Sequence, residues 1–464
     1  MDSKPNDTPD TDSQPPDTPA KPPDFPPDTD GNPRQPPDLP DMTPHSSDTT
    51  PDLPDMTPHS SDTTPDLPDM TPHSSDTTPD LPDLDTPAHD LRGAIVQSLT
   101  LSNFRNYAAV RVDFSPGSNI LAGPNAQGKT NLLDAILCLS GLRPPRARSD
   151  RDLIRFDTEK AVISAQIQAR QRLFAVELQL SRNGRRKMSV NGVSVKTAAA
   201  LRDLFHTVLF RPEDLLLIRD GPAARRRFLD AALSQIRPRY AAALAAYHDA
   251  WTQKTRILRD SDAYPSLLRA LPDFSEQMIL HGVTLIRYRA RYVQRLAQYA
   301  AFHHAQCSGG KESLSVRYQT VSAVPDPAAP ADIVERQLRA HMESHRRAEI
   351  AAKQCLSGPH KDDFTVSVNG YDARQWSSQG QTRTAVLALK LAEREILRNA
   401  AGEYPVLLLD DVLSELDPVR QTYVLRQISG GQRFLTCCEE NRVPSGVLFR
   451  VRAGNVSRTP PLVE

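Results

Sequence analysis

The residues with the clearest chemistry lie between positions 121 and 131. Gly123, Gly128, Lys129 and Thr130 fill the fixed positions of the phosphate-binding motif G-x-x-x-x-G-K-[S/T]. The glycines let backbone N–H groups surround a polyphosphate, the Lys129 ammonium reaches the terminal phosphates, and the Thr130 hydroxyl is a ligand suited to Mg²⁺. An apolar segment precedes the motif and a helical pattern follows it. The sequence therefore predicts a nucleotide site made of Gly123, Pro124, Asn125, Ala126, Gln127, Gly128, Lys129 and Thr130.

A second chemical feature lies 281 residues after Lys129, where an apolar run over 406–409 ends in Asp410 and Asp411. Such a strand is typical of a buried parallel sheet. A carboxylate at its C-terminal end can meet a metal ion held by Thr130. We therefore predict that Asp410 lies on the metal side and that Asp411 is a base or orients water. The alternative is a buried strand ending in a solvated turn, and the motif at Lys129 disfavours it.

Ser378, Gly380 and Gln381 stand at the start of a helical pattern and are called the signature segment below. A serine hydroxyl, backbone N–H groups and the positive end of a helix dipole can all bind phosphate. A simple helix N-cap is the commoner explanation for such residues. Both interpretations remain open on the sequence alone.

The distance between Lys129 and Asp410 in the chain is too large for a compact nucleotide domain. We therefore predict one α/β head that is interrupted by a helical insertion, with both halves of the head needed for the site. Alternating strands predict an antiparallel sheet within 94–195, and a further strand over 364–368 is expected to return the chain to the head. Four long helices are predicted over 223–233, 238–259, 274–302 and 331–355. The predicted parts are a disordered acidic arm (1–90), the N-terminal half of the head (91–201), the inserted helical lobe (202–354) and the C-terminal half (355–464).

The first 90 residues differ sharply from the rest in composition. They hold 21 Asp, no Glu, three basic residues and 23 of the 41 prolines, and a 14-residue segment occurs three times over 37–78. A segment of this kind cannot bury a core, so we predict an extended, disordered arm. The remainder carries a net charge of +17, which indicates a polyanionic partner such as nucleic acid or an anionic membrane surface. The arm either competes with that partner or is an inert repeat expansion, or an upstream start codon has been misassigned.

The cysteines and the apolar segments bear on cellular location. Five cysteines without a pairing pattern suit a reducing cytosol. No run approaches the ~20 apolar residues of a membrane span, and no secretory signal is visible. We therefore expect a cytoplasmic protein with no membrane attachment.

Four features together resemble the ABC-type ATPase heads of the SMC group. They are the phosphate-binding motif, the signature segment, the strand to Asp410 and Asp411, and residues 414–417. Three further stretches, at 103–107, 212–230 and 358–363, resemble more narrowly the RecF family of recombination-repair proteins, and the resemblance covers about 95–451. The chain departs from ABC-type heads at Gln379, where a glycine is usual, and at Asp411, where glutamate is usual. Aspartate there is usual in RecF-like proteins and implies slow hydrolysis. The histidine that usually follows the acidic strand in ABC-type heads is absent from 434–439. Gln166 is only a candidate for the glutamine that bridges the metal ion and the lid in such heads.

The resemblance implies an α/β, ABC-type P-loop ATPase head, with a mixed sheet and flanking helices, that uses ATP and Mg²⁺. Two heads would close face to face, so that Ser378 and Gly380 of one protomer meet the γ-phosphate held at Lys129 of the other. Lys129, Ser378 and Asp411 would then be catalytic in a weak, DNA-stimulated ATPase that acts as a conformational switch.

The expected partners follow from the same resemblance. They are duplex and gapped DNA near single-strand/duplex junctions, the mediators RecO and RecR, and indirectly RecA, in gap repair, replication and the SOS response. The alternatives are an ATPase subunit of a transport system or other machine, and a structural clamp that does not hydrolyse ATP.

Two groups of arginines are candidates for contacts with DNA phosphates. One is Arg225, Arg226 and Arg227, and the other is the basic loop over 143–151. Internal pairing with Asp220, Asp230 or Glu213 explains the first group equally well, so both interpretations remain open.

Overall fold

The computed structural model describes residues 93–322, 324–428, 430–438 and 446–459. The acidic arm predicted over 1–90 lies outside these residues. Within them the chain forms a mixed α/β head and a helical segment, with strands in three sheets.

The central sheet joins the two halves of the head. Its order is β15-β14-β3-β13-β12-β8, in which every neighbouring pair is parallel except β14 and β15. All residues of β3 and β12 are buried, as expected for parallel strands covered on both faces. The strands are β3 (Ser118–Ala122), β8 (Thr207–Phe210), β12 (Val406–Asp410), β13 (Arg433–Cys437), β14 (Val447–Arg452) and β15 (Asn455–Arg458).

A second, antiparallel sheet has the order β2-β1-β4-β5-β6-β7 and is the sheet that the alternating pattern predicts. The turn at Asn191 and Gly192 has positive φ at both residues (51° and 78°), as a type I′ hairpin turn with the sequence Asn-Gly requires. The strands are β1 (Ile95–Phe104), β2 (Tyr107–Asp113), β4 (Lys160–Ala169), β5 (Arg172–Ser181), β6 (Lys187–Val190) and β7 (Val193–Val195).

The helices follow the sequence pattern closely, and the four predicted helices correspond to α4 to α7. Helix α6 has 38 residues and is therefore about 57 Å long. Helix α1 lies between the central and antiparallel sheets, which accounts for its burial on nearly every face. The helices are α1 (Lys129–Leu139), α2 (Ala199–Arg202), α3 (Leu216–Arg219), α4 (Pro222–Ile236), α5 (Pro238–Asp260), α6 (Leu271–Ser308), α7 (Ala331–Ala352), α8 (Ala373–Trp376), α9 (Gln379–Ala401) and α10 (Pro418–Gln427).

Two strands lie in sheets other than those expected. Strand β8 pairs with β12 at the edge of the central sheet, although the sequence places the start of the lobe at residue 202. Four residues are too few to interrupt a helical pattern visibly. Strand β10 (Asp363–Val368) was expected to return the chain to the head, but it pairs instead with β9 (Leu314–Gln319) and β11 (Tyr371–Asp372) in a separate sheet. A strand pattern predicts extended structure but not the partner strand.

The segment over 358–363 anchors the helices of the lobe. Arg225 is buried and donates to both carboxylate oxygens of Asp363, at 2.7 and 2.8 Å. Arg226 donates to the backbone oxygen of Asp362 at 2.8 Å, and Arg289 donates to that of Pro359 at 2.7 Å. The structure thus supports internal pairing for Arg225 and Arg226. Arg225 also donates to the backbone oxygen of Asp220, one of the expected partners, at 2.9 Å, whereas its carboxylate partner is Asp363.

Candidate nucleotide-binding site

The phosphate-binding loop runs from the end of β3 to the start of α1. Gly128 has a φ of 117°, and a Cβ atom there would lie 2.5 Å from Asn106 Nδ2 and 2.7 Å from the Tyr107 hydroxyl. Gly123 is similarly enclosed, because a Cβ atom would lie 2.3 Å from the backbone oxygen of Val451. Both fixed glycines of the motif are therefore required by the close approach of neighbouring segments.

The turn between β1 and β2 supports this loop directly. Asn106 Nδ2 donates to the Gln127 backbone oxygen at 2.9 Å, and the Tyr107 hydroxyl donates to that of Gly128 at 3.0 Å. Asn131 Nδ2 donates to Asn106 Oδ1 at 2.8 Å. Burial raises the pKa of Tyr107, so its hydroxyl remains a donor. The sequence identified residues 103–107 only as part of a family resemblance and missed this supporting role.

Lys129 is the first residue of α1 and is 7% exposed. Its ammonium donates to the backbone oxygens of Gly123 at 2.6 Å and Pro124 at 3.0 Å. These two loop residues therefore contact the charged group through their main chain and fix its position beside the loop.

The predicted meeting of Thr130 and Asp410 is present. The Thr130 hydroxyl donates to Asp410 Oδ1 at 2.8 Å, although 280 residues separate the two in the chain. Thr436 also donates to Asp410 Oδ1, at 3.0 Å. Because β13 lies between β3 and β12, it carries Thr436 into the space between the loop and the acidic strand.

Asp411 follows directly and has a strained backbone, with φ at 56°. Its N–H donates to the Thr436 hydroxyl at 2.8 Å, and the Ser414 hydroxyl donates to Asp411 Oδ1 at 3.0 Å. These contacts fix both the main chain and the carboxylate of Asp411 at the end of the acidic strand.

A buried charge cluster lies behind Asp410. Asp134 on α1 is fully buried and forms ion pairs with Arg105, at 2.7 Å, and with Arg211. Arg211 Nε also lies 3.6 Å from Asp410 Oδ2. Burial raises the pKa of Asp134, whereas Arg211 and Arg105 act in the opposite direction. Sequence reasoning missed this cluster, whose residues lie within or beside the motifs it had identified.

The phosphate-binding loop, the acidic strand end and Thr436 surround a cleft of about 430 Å³. Arg146, which also lines it, forms an ion pair with Glu213. The signature segment and Gln166, which lies in β4, are not among the described residues that line this cleft. The lining is Asn125, Ala126, Gly128, Lys129, Thr130, Asn131, Arg146, Pro212, Asp410, Asp411 and Thr436.

The signature segment caps helix α9. The Ser378 hydroxyl accepts from the Gln381 N–H at 3.2 Å, and Gln381 Oε1 accepts from the Ser378 N–H at 3.0 Å, which is a capping box. Ser378 is exposed, and a Cβ atom at Gly380 would be crowded by nothing closer than 3.9 Å. The N-cap interpretation is therefore correct, and a phosphate-binding role stays a prediction.

The donors in the cleft suit Mg²⁺. Thr130 and Asp410 present a hydroxyl and a carboxylate, and Mg²⁺ prefers oxygen ligands completed by phosphates and water. Within the described residues no cluster of three or more His, Cys, Asp or Glu forms a metal cage. The residues present therefore fit an ion that is held jointly with a nucleotide.

Comparison with known proteins identifies the family. Residues 95–444 match the family model described as the RecF/RecN/SMC N terminal domain. The chain is 36% identical over 369 residues to the DNA replication and repair protein RecF of Lachnoclostridium phytofermentans, covering 78% of this chain and 99% of the relative. It is 39% identical over 368 residues to that of Symbiobacterium thermophilum, covering 78% and 97%. The chain belongs to the RecF family of DNA replication and repair proteins.

Solved RecF structures share the fold. The recombination mediator protein RecF in the RecFOR pathway, solved as RecF-ATPrS and as RecF-ATP, is 32% identical to this chain with a TM-score of 0.75 in both cases. The match covers 80% and 81% of this chain and 100% of the solved chains. The resemblance to the RecF family and the α/β head with a long helical segment are thus confirmed.

None of the helices that the structure describes has the length and apolar character needed to cross a membrane.

Proposed function

We propose that the chain is an ATP-dependent DNA-binding protein of replication and recombinational gap repair, and a slow ATPase. The observation that carries the proposal is the contact between Thr130 and Asp410 inside a cleft lined by the phosphate-binding loop. It joins two segments 280 residues apart into one nucleotide site, in a chain whose relatives are RecF proteins. Solved relatives described as RecF-ATP support ATP as the nucleotide.

The roles of the residues follow from their positions. The loop N–H groups and Lys129 bind the phosphates, and Asp411 orients the attacking water. Thr130 and Asp410 would hold Mg²⁺, which neutralises phosphate charge when it is bound. The contacts of Thr436 and Ser414 hold Asp411 in place.

A second copy of the chain would complete the site. Ser378 and Gly380 lie at the exposed N-terminus of the 23-residue helix α9, and neither lines the cleft of its own chain. ATP would then close two heads on duplex DNA near single-strand/duplex junctions, and hydrolysis would reopen them. Family membership and the RecFOR pathway of the solved relatives support RecO- and RecR-like partners and help in loading RecA in the SOS response.

The structure favours a particular surface for DNA. Arg287, Arg291 and Arg295 repeat every four residues along α6, and we call them the arginine stripe. Arg291 and Arg295 are exposed and form no ion pair with a carboxylate within the described part of the chain. Burial, together with Arg291 and Arg239, lowers the pKa of Arg287, and Asp332 opposes this. Like charges at this spacing destabilise a helix, whereas a phosphate backbone would neutralise them.

Sedimentation on gapped duplex DNA, with and without ATP, tests the proposal. Wild type should dimerise with ATP, Lys129→Ala should stay monomeric, and Asp411→Asn should remain as an ATP-bound dimer on DNA. A monomeric Asp411→Asn protein at saturating ATP would contradict the switch. Single-turnover hydrolysis separates the switch from a structural clamp, because the clamp would release no phosphate over hours.

A further inference from the structure

A carboxylate from the lobe contacts the signature segment. Gln381 Nε2 donates to Glu312 Oε1 at 2.9 Å. The other amide atom of the same side chain, Oε1, accepts from the Ser378 N–H at 3.0 Å. The carboxylate therefore fixes the amide orientation, since the reverse orientation would turn the NH₂ group toward a backbone N–H and the oxygen toward a carboxylate.

Glu312 lies against helix α6, in a loop that is itself anchored. Its Oε2 lies 3.2 Å from Nε2 of His304, whose side chain is fully buried on α6, and the two atoms form no hydrogen bond. Next to it, the N–H of Ser313 donates to Asn369 Oδ1 at 2.8 Å. The carboxylate is about one-fifth exposed and lies between a fixed helix and the signature segment.

We infer that Glu312 is a positioning residue for the γ-phosphate contact made by Ser378 and Gly380, and this inference depends on the proposed function. Without Glu312 the Gln381 amide loses the one contact that its NH₂ group makes within the described residues. The contact between the Ser378 N–H and the Gln381 amide oxygen then loses its fixed direction, which leaves the Ser378 hydroxyl held by the Gln381 backbone N–H alone. Because the signature segment serves the partner's cleft, the defect appears in dimer formation rather than in ATP binding to the monomer.

The test compares Glu312→Ala with Glu312→Gln and with Glu276→Ala. Glu276 is an exposed lobe glutamate that pairs with Arg339, far from α9 in sequence. We expect Glu312→Ala to raise the ATP concentration needed for half-maximal dimerisation about tenfold. Glu312→Gln should recover most of this loss, because its amide oxygen still accepts from Gln381, and Glu276→Ala should match wild type. ATP affinity of the monomeric protein, measured with a fluorescent ATP analogue, should be equal in all four proteins.

A double variant tests whether Glu312 acts through Ser378. Ser378→Ala combined with Glu312→Ala should lose less than the sum of the two single losses, because the Ser378 hydroxyl is the main group through which the carboxylate acts. Additive losses, or reduced ATP affinity of the monomer, would overturn the inference. So would a Glu312→Ala protein that dimerises like wild type. Failure of wild type itself to dimerise with ATP would instead remove the proposed function.

Discussion

At Asp410, one carboxylate oxygen accepts from the hydroxyls of both Thr130 and Thr436. The sequence predicts the first contact, because a phosphate-binding motif and an acidic strand end are complementary parts of one site. It does not predict the second, since a threonine inside an apolar strand has no feature that separates it from an ordinary strand residue. Thr436 also accepts from the Asp411 N–H, so one hydroxyl contacts the carboxylate of Asp410 and the main chain of Asp411.

Thr436→Val should therefore lower both stability and nucleotide affinity. It keeps the shape of the side chain but leaves the Asp411 N–H and part of Asp410 without a partner, which costs about 1–3 kcal/mol of unfolding free energy. Urea unfolding and ATP titration measure the two effects. Thr436→Ser is the matched control, and equal losses in both variants would show that the hydroxyl is not the cause.

The arginines at 225–227 separate a structural role from a surface role. Arg225→Ala should cost about 3 kcal/mol of unfolding free energy, because it leaves Asp363 partly buried without its partner. Arg227 is exposed, so Arg227→Ala should change stability by less than about 0.5 kcal/mol. Chemical denaturation of both variants checks this pair, and equal stability would contradict the buried ion pair.

At the scale of elements, α6 carries both the arginine stripe and His304, which lies against Glu312. Helices of this length are readily predicted, because the 3.6-residue period is local and repeats many times. Sheet membership is not local, which is why β8 and β10 lie in sheets that the sequence did not predict. The same limit applies to the site. The motif residues were predictable, whereas the support from Asn106 and Tyr107 depends on contacts between distant segments.

The arginine stripe predicts the salt dependence of DNA binding. Arg291→Ala with Arg295→Ala should weaken binding and reduce the slope of log affinity against log salt by about 2, since each phosphate contact contributes about 0.9. Arg256→Ala with Arg259→Ala removes the same charge from arginines that pair with Asp260, and serves as the control. Fluorescence anisotropy at several salt concentrations measures the slopes. Equal slopes for the two double variants would exclude the stripe as the DNA surface.

Packing between α6 and α10 predicts a pH dependence of stability. His303 Nδ1 lies 2.9 Å from the Tyr423 hydroxyl, and burial lowers the pKa of His303 to about 4. The unfolded chain, with a histidine pKa near ~6.5, binds this proton at a higher pH than the folded chain. The contribution of His303 to the free energy of unfolding is therefore complete above pH ~6.5. It is lost as the pH falls toward 4, by at most about 1.4 kcal/mol per pH unit.

Comparison with His303→Gln isolates this effect, because other groups act in the opposite direction. Burial raises the pKa of Asp362 to about 6, so the contribution of Asp362 to the free energy of unfolding falls as the pH rises toward 6. The stability difference between wild type and His303→Gln should shrink between pH 7 and pH 5, as measured by urea unfolding. A stability difference that stays constant over this pH range would contradict the effect.

At the scale of the whole molecule, the charge is divided unequally along the chain. Residues 1–90 carry a net −18 and the remainder +17, so the near-zero total conceals a basic body. The sequence predicts this imbalance directly from composition. It leaves open whether the acidic arm competes with DNA, and the predicted arm lies outside the described residues. The basic charge of the body agrees with the DNA-binding function proposed for it.

The position of β13 between β3 and β12 has a consequence for biosynthesis. The ribosome makes β3 first and β12 almost 290 residues later, and β13, which lies between them in space, emerges after both. The central sheet therefore cannot close until residue 437 has left the ribosome exit tunnel, whereas the largely local contacts of the lobe helices form earlier. We expect stalled nascent chains that end before residue 433 to contain a protease-resistant lobe and a protease-sensitive head, as limited proteolysis would show. The nucleotide site is thus among the last parts of the molecule to exist during synthesis.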